Sequence, residues 1–172
     1  MGQAATRRFF FACWPDEGLR RDLVERRRQI ATPSWRPVPE HNLQLSLLLL
    51  GNQPGLALNM ICDAADQIKG SAFTLDLNAF GWFDGARVVW LGGNAPDAAR
   101  SLVGALALAI RSVGLTFQQR SFKPHVTLFR RVAEAPELPN PPSLTWAVHG
   151  FSLIESIPNR PYQVLRTWPL KV

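Results

Sequence analysis

Apolar and polar residues along the chain follow two periods, one of two residues and one of three to four, which together predict an α+β fold. Residues 7–14 are rich in Phe and stop at a proline, a pattern typical of a strand. Asp16 then fits the N-cap of a helix that extends to about Ala31, because apolar residues recur on one side of it. Apolar and polar residues alternate at the start of residues 43–50, so a second strand is predicted there.

The same patterns predict the elements of the rest of the chain. In order, we expect a helix over 56–69, strands over 73–80 and 87–91 that form a hairpin, a helix over 96–113, and strands over 124–130, 145–155 and 162–168. The proline-rich stretches 33–39 and 133–142 are predicted to be loops without regular structure. Phe80, Trp82 and Phe83 could stack a nucleic-acid base or belong to the core, and we favour the core.

Composition sets the size of the domain and the charge of its partners. The chain has 172 residues, of which 47% are hydrophobic and 19% charged, and this indicates one globular domain over 1–172. Its 19 Lys and Arg residues against 13 Asp and Glu residues give a net charge of +6. A basic balance favours anionic partners, such as RNA, DNA or phosphorylated small molecules.

Several classes of protein are not indicated by the sequence. The longest apolar run, 43–50, is far shorter than the roughly 20 residues of a membrane-spanning helix, and the first residues lack the long apolar core of a signal peptide. Cys13 and Cys62 are distant in sequence and form no CxxC pair, so neither a zinc site nor a disulfide framework is indicated. We therefore expect buried free thiols, a cytoplasmic location and no membrane partner.

A spacing shared by two parts of the chain suggests an internal repeat. A Pro-Asp pair opens a predicted helix at Asp16 and another at Asp97. Counting 28 residues on from each Asp reaches Gln44 and His125, which begin strands with the same pattern of polar, apolar, hydroxyl and apolar residues. Helix position, strand position and side-chain pattern agree, which favours two related halves. These halves would span roughly 7–80 and 86–168.

The repeated strands carry side chains suited to phosphate chemistry. Residues two apart on a strand share a face, so His125 lies beside Thr127 and Gln44 beside Ser46. All four would meet in one cleft if the two strands are adjacent. A histidine beside a hydroxyl can exchange a proton near neutral pH and donate to an anionic oxygen, and Arg130 could add a guanidinium for phosphate. A single His-x-Thr is usually an ordinary strand histidine, so this prediction depends on the repeat.

Two segments resemble the signatures of the two-histidine (2H) phosphoesterases, and within them of the RNA 2′,3′-cyclic phosphodiesterases, also called 2′-5′ RNA ligases. The second signature is matched by Phe-Lys-Pro-His-Val-Thr-Leu-Phe-Arg at 122–130, and the first by residues 36–51. The resemblance continues through residues 8–14, 73–91 and 153–170, and so covers nearly the whole chain.

The resemblance implies a fold and an activity. The fold would be α+β, with two pseudo-symmetric lobes of mainly antiparallel sheet, helices on the outside and a central cleft. The activity would be hydrolysis of RNA 2′,3′-cyclic phosphate ends to 2′-phosphate by a monomer, without a metal or other cofactor. The substrates would be RNA with a cyclic phosphate end or a 2′-5′ linkage, or nucleoside 2′,3′-cyclic phosphates. In this scheme His125 is the base, and Thr127, Ser46 and Arg130 bind the phosphate.

Gln44 departs from the family pattern, because it stands where the family has its first histidine, and Ser46 stands where a Thr is usual. An amide can bind a phosphate oxygen but does not titrate near pH 7, so we expect a loss of much of the roughly 10²–10⁴-fold that an acid contributes. His41 is expected in the preceding loop and not as a substitute. The alternatives are a weak or inactive protein that binds RNA ends or cyclic phosphates, and a phosphoesterase with another substrate, such as a cyclic nucleotide.

Overall fold

A computed structural model describes residues 5–172 as ten strands and three α-helices. The strands are β1 (Thr6–Cys13), β2 (Arg36–Pro37), β3 (Leu45–Pro54), β4 (Phe73–Leu77), β5 (Ala79–Phe83), β6 (Val88–Gly92), β7 (His125–Arg130), β8 (Leu144–Val148), β9 (Gly150–Ser156) and β10 (Gln163–Pro169). The helices are α1 (Glu17–Arg28), α2 (Leu58–Asp66) and α3 (Asp97–Ser112). The predicted α+β class is confirmed. No helix within the described residues is long and apolar enough to cross a membrane.

The helix termini follow the capping signals in the sequence. Asp16 is the N-cap of α1, and its carboxylate accepts a hydrogen bond from the backbone N–H of Leu19 at 2.8 Å. The helix ends at Arg28, three residues before the predicted end. The last helix begins after Pro96, and the chain leaves it through Gly114, whose φ of 87° is in the left-handed region that favours glycine.

Two sheets carry the strands, and all pairs of neighbouring strands are antiparallel. The large sheet has the order β10-β9-β1-β3-β7-β6-β5, with β2 beside β7, and the small sheet consists of β4 and β8. At the centre of the large sheet β3 and β7 are joined by the pair Leu45 and Val126. This pair is the seam between the two halves of the large sheet.

Outward from the seam, the large sheet has β3, β1, β9 and β10 on one side and β7, β6 and β5 on the other, so three strands on each side are matched by position and β10 is an additional edge strand. Both central strands contain a β-bulge in which one residue is extra, at Leu47 in β3 and at Leu128 in β7, and β3 has a second bulge at Leu50. Leu47 and Leu128 are as far apart in sequence as Gln44 and His125. The shared bulges support the internal repeat, which stays a prediction.

Two predicted strands are each divided between the two sheets. Residues 73–80 break at Asn78, whose N–H donates to the carbonyl of Gly92 at 2.9 Å, and residues 145–155 break at His149. The prediction of single strands was wrong because alternation continues across each break while the chain passes from the small sheet to the large one. In both cases the first strand, β4 or β8, belongs to the small sheet, and the second, β5 or β9, belongs to the large sheet.

Three other boundaries differ from the predictions. The loop over 33–39 contains a short strand, Arg36–Pro37, at the free edge of β7, where a proline that cannot donate is tolerated. The strand predicted over 43–50 begins two residues later and continues to Pro54. The helix predicted over 56–69 is a 3₁₀ turn followed by the shorter α2.

The core lies on one side of the large sheet, which we call the core face because Leu45 and Val126 are fully buried there. All three helices and the small sheet contribute buried side chains to this core. A smaller cluster of Phe10, Ala12 and Ile154 is buried on the opposite side, which we call the open face. Cys13 and Cys62 are both free thiols in the buried interior, and burial raises the pKa of Cys13 to about 12.

Candidate active site

Four polar side chains meet on the open face at the seam. Leu45 and Val126 face the core, so their chain neighbours lie on the other side of the sheet. The antiparallel register places Gln44 beside Thr127 and Ser46 beside His125, and all four are half-buried. The structure thus brings together the four residues that the repeat predicted. It also places Gln44 at the entrance of β3 and His125 at the start of β7, in matching positions on either side of the seam.

One ring nitrogen of His125 is fixed by the backbone. Nδ1 lies 2.6 Å from the carbonyl oxygen of Lys123, and a carbonyl only accepts, so Nδ1 carries the proton and donates. The neutral ring then has an unprotonated Nε2 that can accept a proton. The pKa of His125 is lowered from its ordinary value of 6.5, mainly by burial, with a smaller effect in the same direction from the Lys123 ammonium. The backbone hydrogen bond opposes this shift.

Two aromatic rings enclose His125 on the side of β6. Phe83 contacts the imidazole edge to face, with ring centroids 5.0 Å apart, and Trp90 lies 6.1 Å away. The ammonium of Lys123 lies over both aromatic rings, 4.7 Å from the centroid of Trp90 and 5.5 Å from that of Phe83. A Cβ at Gly81 would come within 2.1 Å of the Trp90 ring, so glycine is needed for this ring to lie flat on the sheet.

The structure places the three aromatic residues Phe80, Trp82 and Phe83, which the sequence assigned either to the core or to base stacking, on two different faces of the sheet. Phe80 and Trp82 pack against the core, and the indole N–H of Trp82 donates to the carbonyl of Val132 at 2.9 Å. Phe83 lies on the open face, where it contacts His125. The preference for the core was therefore right for two of the three.

The other half of the site carries no titrating group on its strand. The hydroxyl of Ser46 donates to Oε1 of Gln44 at 3.1 Å, which leaves the amide N–H₂ of Gln44 free to donate. His41 lies exposed on the 3₁₀ helix Glu40–Asn42, outside β3, as the sequence predicted. The seam thus has a proton acceptor, His125, on one side and an amide donor on the other.

Arg130 reaches the same face because of the bulge in β7. Five positions separate it from His125, and strict alternation would place the two side chains on opposite faces. The extra residue at Leu128 shifts the alternation by one, so Arg130 returns to the open face. Its partner across the strands is Arg36 of β2, and both arginines are exposed.

This arrangement suits an anionic tetrahedral group. The hydroxyl of Thr127, the amide of Gln44 and the guanidinium of Arg130 can donate to its oxygens, and the hydroxyl of Ser46 can join them if it releases Gln44. Nε2 of His125 can accept a proton from an attacking nucleophile. Within residues 5–172 there is no cluster of three or more His, Cys, Asp or Glu side chains that could hold a metal ion. Surface depressions of about 310 and 580 Å³ lie away from these residues, beside the end of α3 and along α1.

The sequence analysis did not identify three side chains near the site, Lys123, Trp90 and Arg36. Lys123 precedes the histidine directly, so its position was visible in the motif, but its place over two aromatic rings was not. Trp90 becomes a neighbour of the site because it pairs with Thr127 across β6 and β7, and Arg36 because it pairs with Arg130. Phe83 was considered as a residue that could stack a base, with the core favoured. Cross-strand register locates Trp90 and Arg36, and Lys123 is located by its contacts with the two aromatic rings.

No protein-family model matches the chain. Among curated proteins, it is 35% identical to an RNA 2′,3′-cyclic phosphodiesterase of Escherichia coli over 173 residues, which cover 95% of this chain and 96% of the relative. It is 31% identical to a protein of the same description from Thermus thermophilus over 179 residues, with 95% and 90% covered.

Solved structures agree with these relatives. E. coli LigT in complex with 3′-AMP superposes with a TM-score of 0.88 at 31% identity, covering 96% of this chain and 99% of that one. The phosphodiesterase domain of MHV ns2 matches with a TM-score of 0.63 at 13% identity, which shows the fold alone. The predicted antiparallel α+β architecture is confirmed by the LigT structures. With the identity above 30% across nearly the full length of both curated relatives, this chain belongs to the RNA 2′,3′-cyclic phosphodiesterase family.

Proposed function

We propose that this protein hydrolyses RNA 2′,3′-cyclic phosphate ends to 2′-phosphate. The observation that carries the proposal is the state of His125, whose Nδ1 donates to a backbone carbonyl so that Nε2 is an acceptor on the face where the other polar groups converge. The curated relatives are described as RNA 2′,3′-cyclic phosphodiesterases, and LigT has been crystallised with 3′-AMP.

The role of each side chain follows from what it can donate or accept. Nε2 of His125 takes the proton of a water molecule as its oxygen attacks phosphorus, and the bond from phosphorus to the 3′ oxygen breaks. The hydroxyl of Thr127 and the guanidinium of Arg130 donate to the phosphate oxygens, and the hydroxyl of Ser46 does so once it turns away from Oε1 of Gln44. The amide of Gln44 donates a hydrogen bond to the phosphate, but it does not ionise near pH 7 and therefore cannot transfer a proton to the leaving oxygen. The 3′ oxygen must then take its proton from solvent water, so we expect turnover to be slow.

All the side chains that the proposed reaction uses come from one chain, so we propose that the protein is a monomer. We further propose a single domain over residues 1–172, built from two repeats at about 7–80 and 86–168. The matching bulges at Leu47 and Leu128 support the repeat. The proposed partners are RNA ends and nucleoside 2′,3′-cyclic phosphates, for which the net charge of +6 is suitable. A cytoplasmic location belongs to the same proposal.

The deciding experiment is incubation of the protein with each of the four nucleoside 2′,3′-cyclic monophosphates. The nucleoside 2′-phosphate and 3′-phosphate products are then separated by chromatography. We expect 2′-phosphate as the main product, formed by the parent but absent with His125→Ala. Formation of 3′-phosphate, or equal turnover by the variant, would overturn the proposed roles.

A second candidate function is binding of RNA ends or cyclic phosphates without useful turnover. Gln44 is the observation that favours it, because its side of the seam offers only an amide. In that case a nucleoside 2′,3′-cyclic phosphate would be recovered unchanged, while the protein would bind it in calorimetry and lose this binding with Thr127→Val.

A further inference from the structure

The matching halves of the site give it an approximate twofold symmetry, which by itself does not fix the direction of a substrate strand. Each side of the seam offers a nitrogen-bearing side chain and a hydroxyl, at Gln44 and Ser46 and at His125 and Thr127. A phosphate at the centre could be held in two opposite orientations. Some feature outside these four residues must therefore decide which way an RNA strand leaves the site.

The two ends of the open face differ strongly in chemistry. Beyond the bulge in β7 the open face carries Arg130, whereas the corresponding position beyond the bulge in β3 is Leu49, which is 52% exposed. On the two central strands, one end therefore carries a cation and the other an apolar side chain, and the nearest arginine at the leucine end is Arg8 on the neighbouring strand β1. A strand with phosphates would be held closest to the seam at the end that carries Arg130.

A second arginine strengthens the cationic end. Arg36 on β2 pairs directly with Arg130 on β7, so the two side chains leave the same face of the sheet from neighbouring positions. The residues that precede them, Trp35 and Phe129, pack on each other on the core face with ring centroids 5.3 Å apart. Like charges directly opposite each other destabilise a sheet. Within residues 5–172 neither arginine forms an ion pair, so the repulsion has no internal compensation.

We propose that Arg36 binds the phosphodiester immediately 5′ of the terminal nucleotide, and so makes the protein prefer RNA ends to mononucleotides. This rests on the proposed function. Arg130 lies about two strand steps, roughly 7 Å, beyond Thr127, because one of the three intervening steps is in the bulge. Arg130 therefore lies at the edge of the reacting phosphate, and Arg36 beside it reaches the next one. A planar guanidinium matches the geometry of a phosphate and is always charged.

The test compares two dinucleotides that end in a 2′,3′-cyclic phosphate. Their upstream ribose is 2′-O-methylated in both, and the linkage between the nucleotides is a phosphodiester in one and a neutral methylphosphonate in the other. The kcat/KM of the parent and of Arg36→Ala is measured for both dinucleotides and for a nucleoside 2′,3′-cyclic monophosphate. Arg21→Ala, which removes an exposed arginine from α1, is the matched control for net charge.

We expect Arg36→Ala to lower kcat/KM about fivefold for the phosphodiester, the effect of one exposed ion pair. The values for the methylphosphonate and the mononucleotide should stay within twofold of the parent. Equal losses on all three substrates, or a loss no larger than that of Arg21→Ala, would overturn the role of Arg36.

Failure of the proposed function gives a different pattern, in which the parent hydrolyses none of the three substrates. Binding of a 5′-fluorescent RNA dinucleotide with a 3′-terminal phosphate, measured by anisotropy against salt concentration, then decides the role of Arg36. With Arg36→Ala, the slope of log affinity on log salt should be shallower by about 0.7, the value for one contact to a single strand. An unchanged slope would overturn the subsite.

Discussion

Replacing Gln44 by histidine places a titrating group on the side of the seam that has none. The residue is half-buried on the open face, beside Thr127, at the position on its side of the seam that matches His125 on the other. Its amide oxygen already accepts from the hydroxyl of Ser46, so the pocket around it is polar and can receive an imidazole. We expect Gln44→His to fold as the parent does and to protonate the leaving 3′ oxygen.

The expected gain is that of one general acid. Such a group contributes about 10²–10⁴-fold in rate, which corresponds to roughly 3–5 kcal/mol of the activation barrier. The structure supports a value within this range because both catalytic positions flank the same strand pair, Leu45 and Val126, and no element has to move to bring them together. The hydroxyls and Arg130 stay in place, so the gain should appear in kcat.

The pH profile provides a second, independent signature. His125 must be neutral to act as a base, and burial lowers its pKa, so the parent should lose activity on the acid side only. In Gln44→His the new imidazole must be protonated while His125 is neutral, so activity should fall on both sides of an optimum. Gln44→Leu is the control for loss of the amide, and the double variant Gln44→His/His125→Ala should show no gain.

The assay is hydrolysis of a nucleoside 2′,3′-cyclic monophosphate, followed from pH 5 to pH 9. A gain smaller than tenfold, or a profile with a single limb, would refute the reasoning that Gln44 occupies the position of a proton donor. The binding function would then be favoured over the enzyme.

Three further predictions concern the histidine and a helix cap. His125→Ala should reduce cyclic phosphate hydrolysis at least 10²-fold while leaving the circular dichroism spectrum unchanged, and retained activity would place the base elsewhere. Because folding lowers the pKa of His125 below its ordinary 6.5, the unfolded chain binds the proton more readily, so stability should fall as the pH drops from 6.5 towards the folded pKa. Urea titrations should show this loss in the parent and in His41→Ala, but a weaker one in His125→Ala. Asp16→Ala removes the cap on the N–H of Leu19 and should cost about 1 kcal/mol, or roughly 2–4 °C in Tm, whereas Asp22→Ala, in the body of α1, should cost less in the same thermal scans.

Much of the site could be predicted from sequence because it depends on local rules. Side chains two residues apart on a strand share a face, so the sequence alone predicts that Gln44 lies beside Ser46 and His125 beside Thr127. The Asp16 cap was equally local, and the structure shows its hydrogen bond to Leu19. These features need only a few consecutive residues to be specified.

What the sequence did not show depends on contacts between distant segments. The bulge at Leu128, which returns Arg130 to the open face, exists only opposite β6. The chain passes from the small sheet to the large one at Asn78 and at His149. The alternation of polar and apolar residues continues through both positions, so it does not predict the breaks. The short strand at Arg36 needs the free edge of β7 as its template, since two residues cannot form a strand alone.

The seam at Leu45 and Val126 has a consequence for how this site can change. In a dimer of two identical halves, every substitution would occur twice, so losing one histidine would mean losing both. Here the two sides belong to one chain and are encoded separately. Gln44 can thus differ from His125, and Leu49 from Arg130, without either change being copied across the axis. One side can therefore carry an amide while the other carries an imidazole, which is the combination found in this molecule.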